Sequence, residues 1–224
     1  MASQNFWRGK KIVITAGPTR EALDPVRYLS NASSGRMGYA LADAARKNGA
    51  AVVLISGPTA LPPPRAVRLV PAVSARDMLR VALRHARNAH AVIGTAAVAD
   101  WRPARPRRHK MKKTGSADEL LLRLKKNPDI LKTLSHRRRD RRRPLLIGFA
   151  LETDHLLQNA RKKLSEKNLD LIVANAGSAL DSPRTSVVLL VPSGILARFR
   201  NLSKKTAARR LLTAAARYFE RRRP

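Results

Sequence analysis

The segment Ser30-Asn31-Ala32-Ser33-Ser34-Gly35-Arg36-Met37-Gly38 gathers two adjacent hydroxyls, an amide, a guanidinium and two glycines just ahead of a helical pattern. Free N–H groups and the dipole at a helix N-terminus favour a phosphate or a carboxylate there. The polar loop before it holds Thr19-Arg20-Glu21 and Asp24-Pro25-Val26-Arg27, which alone also fit an ion-paired surface loop. Further on, Asp100 leads into Lys110-Met111-Lys112-Lys113. Lysines on such a segment can close over phosphates or stand as solvated charge. A third polar strand end reads Gly148-Phe149-Ala150-Leu151-Glu152-Thr153. Three polar or cationic loops at strand ends point to one anionic ligand, a nucleoside triphosphate.

Other chemistries lack their residues. The first strand loop has the single glycine Gly17 followed by Pro18, not G-x-G-x-x-G. The second strand ends Ser56-Gly57-Pro58, with no acid for a ribose diol, which argues against a dinucleotide oxidoreductase. His85, His90, His109, His136 and His155 fall in no ligand spacing. There is no G-x-S-x-G elbow and no Walker A lysine loop. Zero cysteines remove disulfides, thiol nucleophiles and cysteine metal sites.

The elements that must position these loops follow a βα rhythm. Lys11 to Thr15 and Ala51 to Ile55 are short apolar strands around a helix from Gly35, with Ser33 and Ser34 as cap candidates and Asn48-Gly49 as a stop. Val67 to Val70 predicts a strand, Ala75 to Asn88 a helix and Ala91 to Gly94 a buried strand. The Pro- and Arg-rich stretch of about 101–116 predicts a mobile flap. Leu120, Leu122 and Leu124 alternate as in a strand. Asn127-Pro128 starts a helix, Leu145 to Ala150 is a strand, Asp154 to Asn168 a helix and Leu169 to Ala174 a strand. Val187 to Val191 and Ile195 to Phe199 flank Pro192-Ser193-Gly194 as a hairpin. Ser203 caps a last helix, with Ala207, Leu211, Ala214 and Tyr218 on one face, in a basic C-terminal tail of about 203–224. The order predicts one α/β domain over 1–224, a doubly wound, mostly parallel Rossmann-like sheet with helices on both faces.

The 224 residues include 46 Lys+Arg against 15 Asp+Glu, a net charge of +31. At 44% hydrophobic residues the chain has enough apolar content for a globular core. Arginines concentrate in Arg102 to Arg143 and in Arg198 to Arg223. Such charge attracts polyanions, so nucleic-acid binding through basic patches is one expectation. Neither patch is interleaved with aromatics that could stack unpaired bases. No apolar run approaches the roughly 20 residues of a membrane span, and MASQNFWRGKK has no signal-peptide core. The expected setting is cytoplasmic, with no membrane.

Taken together the motifs resemble the phosphopantothenate–cysteine ligase (phosphopantothenoylcysteine synthetase) family of coenzyme A biosynthesis. The matching runs are Ile14 to Glu21, Asp24 to Arg27, Ser30 to Gly38, Ser56-Gly57-Pro58, Ala96 to Asp100, Lys110 to Lys113, Asn127 to Leu131, Gly148 to Thr153 and Lys167 to Asp170. They stand in family order over about residues 10–190. The Lys-x-Lys-Lys form looks like the bacterial, CTP-using type.

The resemblance implies an acyl-cytidylate made from 4′-phosphopantothenate and CTP with release of pyrophosphate, then attack by the L-cysteine amine with release of CMP. It implies Lys110 for the first step and Asn31 for holding the acyl phosphate in the second. It places nucleotide binding on Gly17, Ala97, Asp100, Asn127, Pro128, Asp129, Ile130, Phe149, Lys163 and Lys167. It places substrate binding on Arg27, Ser33, Ser34 and Gly35. It further implies Mg2+ held mainly by the nucleotide phosphates, a homodimer, and a separate phosphopantothenoylcysteine decarboxylase in the pathway. The chain departs from the family at Pro18, where a second glycine is usual, at Leu151, where alanine is usual, and in a shortened stretch after Asn175. The alternative is an inactive relative that serves as a basic nucleic-acid-binding protein.

Overall fold

A computed structural model describes residues 6–112, 119–138, 144–176 and 183–221. The first half runs β1 (Lys11–Ala16), β2 (Arg20–Ala22), β3 (Tyr28–Ser30), α1 (Arg36–Lys47), β4 (Ala51–Ser56), β5 (Arg68–Pro71), α2 (Ala75–Ala86) and β6 (Ala91–Gly94). The second half runs β7 (Trp101–Pro103), β8 (Leu124–Lys126), α3 (Ile130–Arg137), β9 (Leu145–Glu152), α4 (Leu156–Glu166), β10 (Leu171–Ala176), β11 (Arg184–Val191), β12 (Gly194–Ser203) and α5 (Lys204–Glu220).

Eight strands form one sheet in the order β12-β11-β10-β9-β6-β1-β4-β5. The six from β5 to β10 are parallel, and β11 and β12 add an antiparallel hairpin at one edge. This is the doubly wound α/β architecture that the alternation of elements predicts. Its central strands are covered on both faces, which explains their continuous β-branched runs. Along β1, Ile12, Ile14 and Ala16 point into the core under α1 and α5, while Val13 points into the core under α2, α3 and α4.

Several local expectations shift. Asn127-Pro128 does not open the helix: α3 starts at Ile130, and Asp129 is its cap, accepting from the Lys132 N–H at 3.0 Å. Neither Ser33 nor Ser34 caps α1. Its N-cap is Gly35 at φ 74°, and no side chain satisfies the first turn. The loop from Thr19 contains the β2–β3 ribbon, paired Arg20 to Ser30 through Ala22 to Tyr28. The leucine alternation yields only β8, because Leu120, Leu121 and Leu122 are exposed and bury no face. In the predicted flap, β7 pairs with β8, and residues 113–118 lie outside the described residues. The helix predicted from Asp154 starts two residues later, after His155 at φ 41°.

The N-terminal segment holds an anchor that its polar composition conceals. Trp7 is 1% exposed, and its indole N–H donates to the Leu212 carbonyl on α5 at 3.0 Å. Phe6 meets it edge-on. The basic C-terminal stretch forms α5, whose Leu211, Leu212, Ala215, Ala216 and Phe219 are buried.

Candidate active site

The sheet order reverses at β1, which lies between β4 and β6. Ligands of open α/β sheets bind outside the carboxyl ends of the strands at such a point. A cavity of about 560 Å³ opens there, lined by the loops after β1 and β6, the N-terminus of α1, the start of α3 and the end of β9.

Backbone bonds fasten the first wall. The loops after β1 and β6 continue the ladder: the Ala97 N–H donates to the Gly17 carbonyl at 3.0 Å, and the Thr19 N–H to the Ala97 carbonyl at 3.2 Å. That bridge joins Pro18 to Ala97. It uses the Gly17 carbonyl and the Thr19 N–H, so the N–H that Pro18 lacks is not required. The buried Thr19 hydroxyl accepts from Ala99 N–H at 3.0 Å. The Thr95 hydroxyl donates to the Thr15 carbonyl at 2.5 Å.

Glycine lets α1 approach this wall. A Cβ on Gly38 would stand 2.5 Å from both Ala16 Cβ and Thr95 Oγ1. Gly35 brings the uncapped first turn of α1 onto Gly17, since a Cβ there would lie 3.2 Å from Gly17 Cα. With no side chain bonded to that turn, its N–H groups are available to an anion. Ser33, Ser34 and Gly35 line the cavity beside it. Asn31 reaches in from the end of the β2–β3 ribbon, and its Nδ2 donates to the Ala97 carbonyl at 3.2 Å.

The opposite wall carries the cations. Asn127 Nδ2 donates to the Ala99 carbonyl at 2.8 Å, and its Oδ1 accepts from Arg102 at 2.9 Å. Asn127 therefore locks the β6 loop to the α3 entry. Lys167 pairs with Asp129 at 2.9 Å, and Lys163 with Glu152 at 2.7 Å. Pro128, Ile130, Phe149 and Leu151 supply apolar lining. Asp100 lines it without an ion pair among the described residues.

Arg27, Lys110 and Gly17 do not line the cavity itself. Gly17 supports it from behind. Arg27 and the start of the flap meet at Asp24. The Asp24 carboxylate accepts from the N–H groups of Val26 and Arg27 at 2.8 Å each and from Met111 at 3.1 Å. The Arg27 guanidinium donates to it at 2.7 and 2.9 Å and to the Met111 carbonyl at 2.6 Å. Burial alone would raise the Asp24 pKa. The Met111, Val26 and Arg27 N–H donors and the guanidinium outweigh it and hold the carboxyl well below the usual carboxylate range. Lys110 sits one residue before this tether.

Sequence reasoning missed Thr15, Thr95, Asn175, Thr185 and Lys204, which also line the cavity. Thr185 is 4% exposed, and its hydroxyl has no partner among the described residues. A threonine opening a strand is too ordinary to signal this, and only the sheet brings β11 to the cavity. Among the described residues no group of three or more His, Asp or Glu side chains could hold a metal ion. No described helix is long and apolar enough to cross a membrane. The shortened stretch after Asn175 runs into 177–182, outside the described residues.

A doubly wound sheet, an uncapped helix N-terminus at its switch point and a facing pair of held lysines define a doubly wound α/β domain with a polar cavity at its switch point. Residues 7–218 match the family described as DNA/pantothenate metabolism flavoprotein C-terminal domain, and the chain belongs to that family. It is 46% identical over 189 residues to the coenzyme A biosynthesis bifunctional protein CoaBC of Vibrio vulnificus (strain YJ016), covering 83% of this chain and 47% of that protein. It is 51% identical over 168 residues to CoaBC of Bacillus subtilis (strain 168), covering 75% and 40%. The chain thus spans about half or less of the length of these relatives. Among solved structures it superposes on the C-terminal domain of CoaBC with a TM-score of 0.81 and 43% identity, over 97% of this chain and 99% of that one.

Proposed function

We propose that this domain is a ligase of coenzyme A biosynthesis that joins 4′-phosphopantothenate to L-cysteine at the expense of CTP. The observation that carries this reading is the pair of facing walls. The uncapped α1 N-terminus with Asn31 stands across from the α3 entry with Lys163 and Lys167. Family membership and the name of the CoaBC relatives support it.

In this reading the substrate carboxylate attacks the α-phosphorus of CTP, and pyrophosphate leaves. The cysteine amine then attacks the acyl carbon, and CMP leaves with its phosphate oxygen. Neither step calls for an enzyme nucleophile. The chain contributes alignment and neutralisation of charge, which together supply much of such barriers. The α1 N–H groups with Ser33, Ser34 and Gly35 take the pantothenate phosphate side, and Arg27 serves it from outside the cavity through the Asp24 tether. Ala97, Asp100, Asn127 to Ile130, Phe149, Lys163 and Lys167 take the nucleotide. Lys110, delivered by the Asp24 tether, meets the charge that develops on the α-phosphate. Asn31 can exchange its bond to the Ala97 carbonyl for one to the acyl phosphate. Asp100, a lining carboxylate without an ion pair among the described residues, would help to orient Mg2+, which would supply further neutralisation of the nucleotide phosphates. A homodimer in the cytoplasm completes the proposal.

The test is pyrophosphate release with 4′-phosphopantothenate, CTP and Mg2+, with and without cysteine, and again with ATP. Activity that requires CTP, is lost in Lys110→Ala and stops before amide formation in Asn31→Ala is the expected result. Silence of folded protein with every nucleotide overturns it in favour of an inactive relative.

A further inference from the structure

The opposite end of the sheet carries a second concavity, of about 1020 Å³. α2 leads into β6 and α3 into β9, so the C-terminal ends of both helices lie beside the amino ends of those strands. Between them Arg80, Arg84 and Arg87 stand at i, i+4 and i+7 along one face of α2 and its cap, and Arg137 and Arg138 close the end of α3. Leu83 and Leu134 form an apolar floor. No residue is shared with the active-site cavity.

Two of these arginines are neutralised. Arg80 bonds Asp77 at 2.8 Å, and Arg138 bonds Asp170 at 2.7 Å. Arg84, Arg87 and Arg137 are exposed, and among the described residues they make no ion pair and no carboxylate lines the groove. A cation in the last turn of a helix is favourable. That accounts for one arginine per helix, but like charges stacked at i, i+4 repel. Burial first, then the charges of Lys11, Arg68 and, last, Arg84, push the pKa of the neighbouring His85 below its ordinary value.

We propose that this groove binds the phosphate backbone of double-helical nucleic acid by charge. Guanidinium groups bind phosphates through paired N–H donors, more specifically than ammonium groups do. With no aromatic in the lining, unpaired bases find no stacking platform, which favours a duplex over a single strand. The net charge of +31 adds long-range steering. The site stands apart from the cavity, so it does not rest on the ligase reading.

The test is fluorescence anisotropy of the full chain with a labelled DNA duplex of about 20 base pairs, over roughly 50–300 mM salt. Arg84→Gln/Arg87→Gln/Arg137→Gln should weaken binding at least about tenfold and flatten the log K against log salt slope by roughly 3 × 0.9, or about 2.7. A matched variant on the exposed face at the end of the chain, Arg209→Gln/Arg217→Gln/Arg221→Gln, should keep most of the affinity. Equal losses in both variants overturn the groove. Tighter binding of a single strand of the same length, or equal displacement by poly-glutamate, overturns the duplex. Should the groove variant fail to fold, phenylglyoxal modification of the wild-type chain decides: the duplex should protect Arg84, Arg87 and Arg137, and unchanged reactivity overturns the proposal.

Discussion

At the carboxyl ends of the strands, Lys163 and Lys167 each hold a carboxylate, Glu152 at 2.7 Å and Asp129 at 2.9 Å. At the amino ends, Arg84, Arg87 and Arg137 hold none among the described residues. The same sign of charge is thus presented in two ways. A lysine tied to a carboxylate and flanked by a backbone-bonded loop has a set position and a muted field, which suits a small ligand that must be aligned. A stripe of unpaired arginines has a strong field and little geometric demand, which suits an extended anion. The contrast extends to the supporting chain. The cavity wall is built from glycines, threonine hydroxyls and carbonyls in contact, whereas the amino end is closed by an aromatic plug, Trp7, under α5.

Three substitutions test that division. Trp7→Ala should have the largest effect, about 3–5 kcal/mol of lost stability for a buried aromatic that also bonds the Leu212 carbonyl. Urea unfolding measures it, and pyrophosphate release per folded molecule should stay near wild type. A large loss of that specific activity would break the separation of the two ends.

Gly38→Ala comes next. Its methyl group would stand 2.5 Å from Ala16 Cβ and Thr95 Oγ1, so α1 must back away from the sheet at a cost of about 1–3 kcal/mol. Because the displaced element is the anion-facing N-terminus, specific activity should fall with stability. Thermal melts and turnover on the same sample would show it, and an unaltered KM for the phosphorylated substrate would count against the placement of α1.

Asp24→Asn sharpens the comparison most finely. Removing the charge that holds Arg27 and Met111 should loosen the delivery of Lys110 and lower kcat by roughly tenfold with little change in the nucleotide KM, with the fold retained. The pH dependence has a definite sign. A carboxyl held below its ordinary pKa stabilises its contacts above the unfolded value of about 3.9, and the effect is lost as pH falls through the lowered folded value. In the wild type the tether should therefore be constant from neutral pH down to about pH 5 and fail only in strong acid. Limited proteolysis near Arg105 to Lys112 reads this directly, and loosening near neutral pH would contradict it.

Much of this site was legible before any coordinates. Local rules sufficed for the apolar runs of β1, β4, β6 and β9, for the glycine-rich entry to α1 and for Ser203 as the cap of α5, because each depends on residues adjacent in the chain. The family resemblance singles out Asn31, Ala97, Asp100, Asn127, Asp129, Lys163 and Lys167 from stretches far apart in the chain, and all of them line one cavity. Serine at positions 33 and 34 looks like a cap, yet Gly35 takes the left-handed position and leaves the helix end open. That choice is made by contact with Gly17 and Thr59, neither a neighbour in sequence.

What the sequence by itself determined is the type and order of the elements, the family and the chemical character of the loops. Periodicity, turn residues and motif spacing are local quantities. Tertiary structure alone decided which loops touch. It placed Trp7 under α5, made the β1 and β6 loops share a ladder that Pro18 does not interrupt, and turned Thr185 into the cavity. It also aligned arginines 50 residues apart in the chain, Arg87 and Arg137, into one groove. Such pairings depend on which strand lies beside which, and sheet order is set by packing both faces of the whole domain at once.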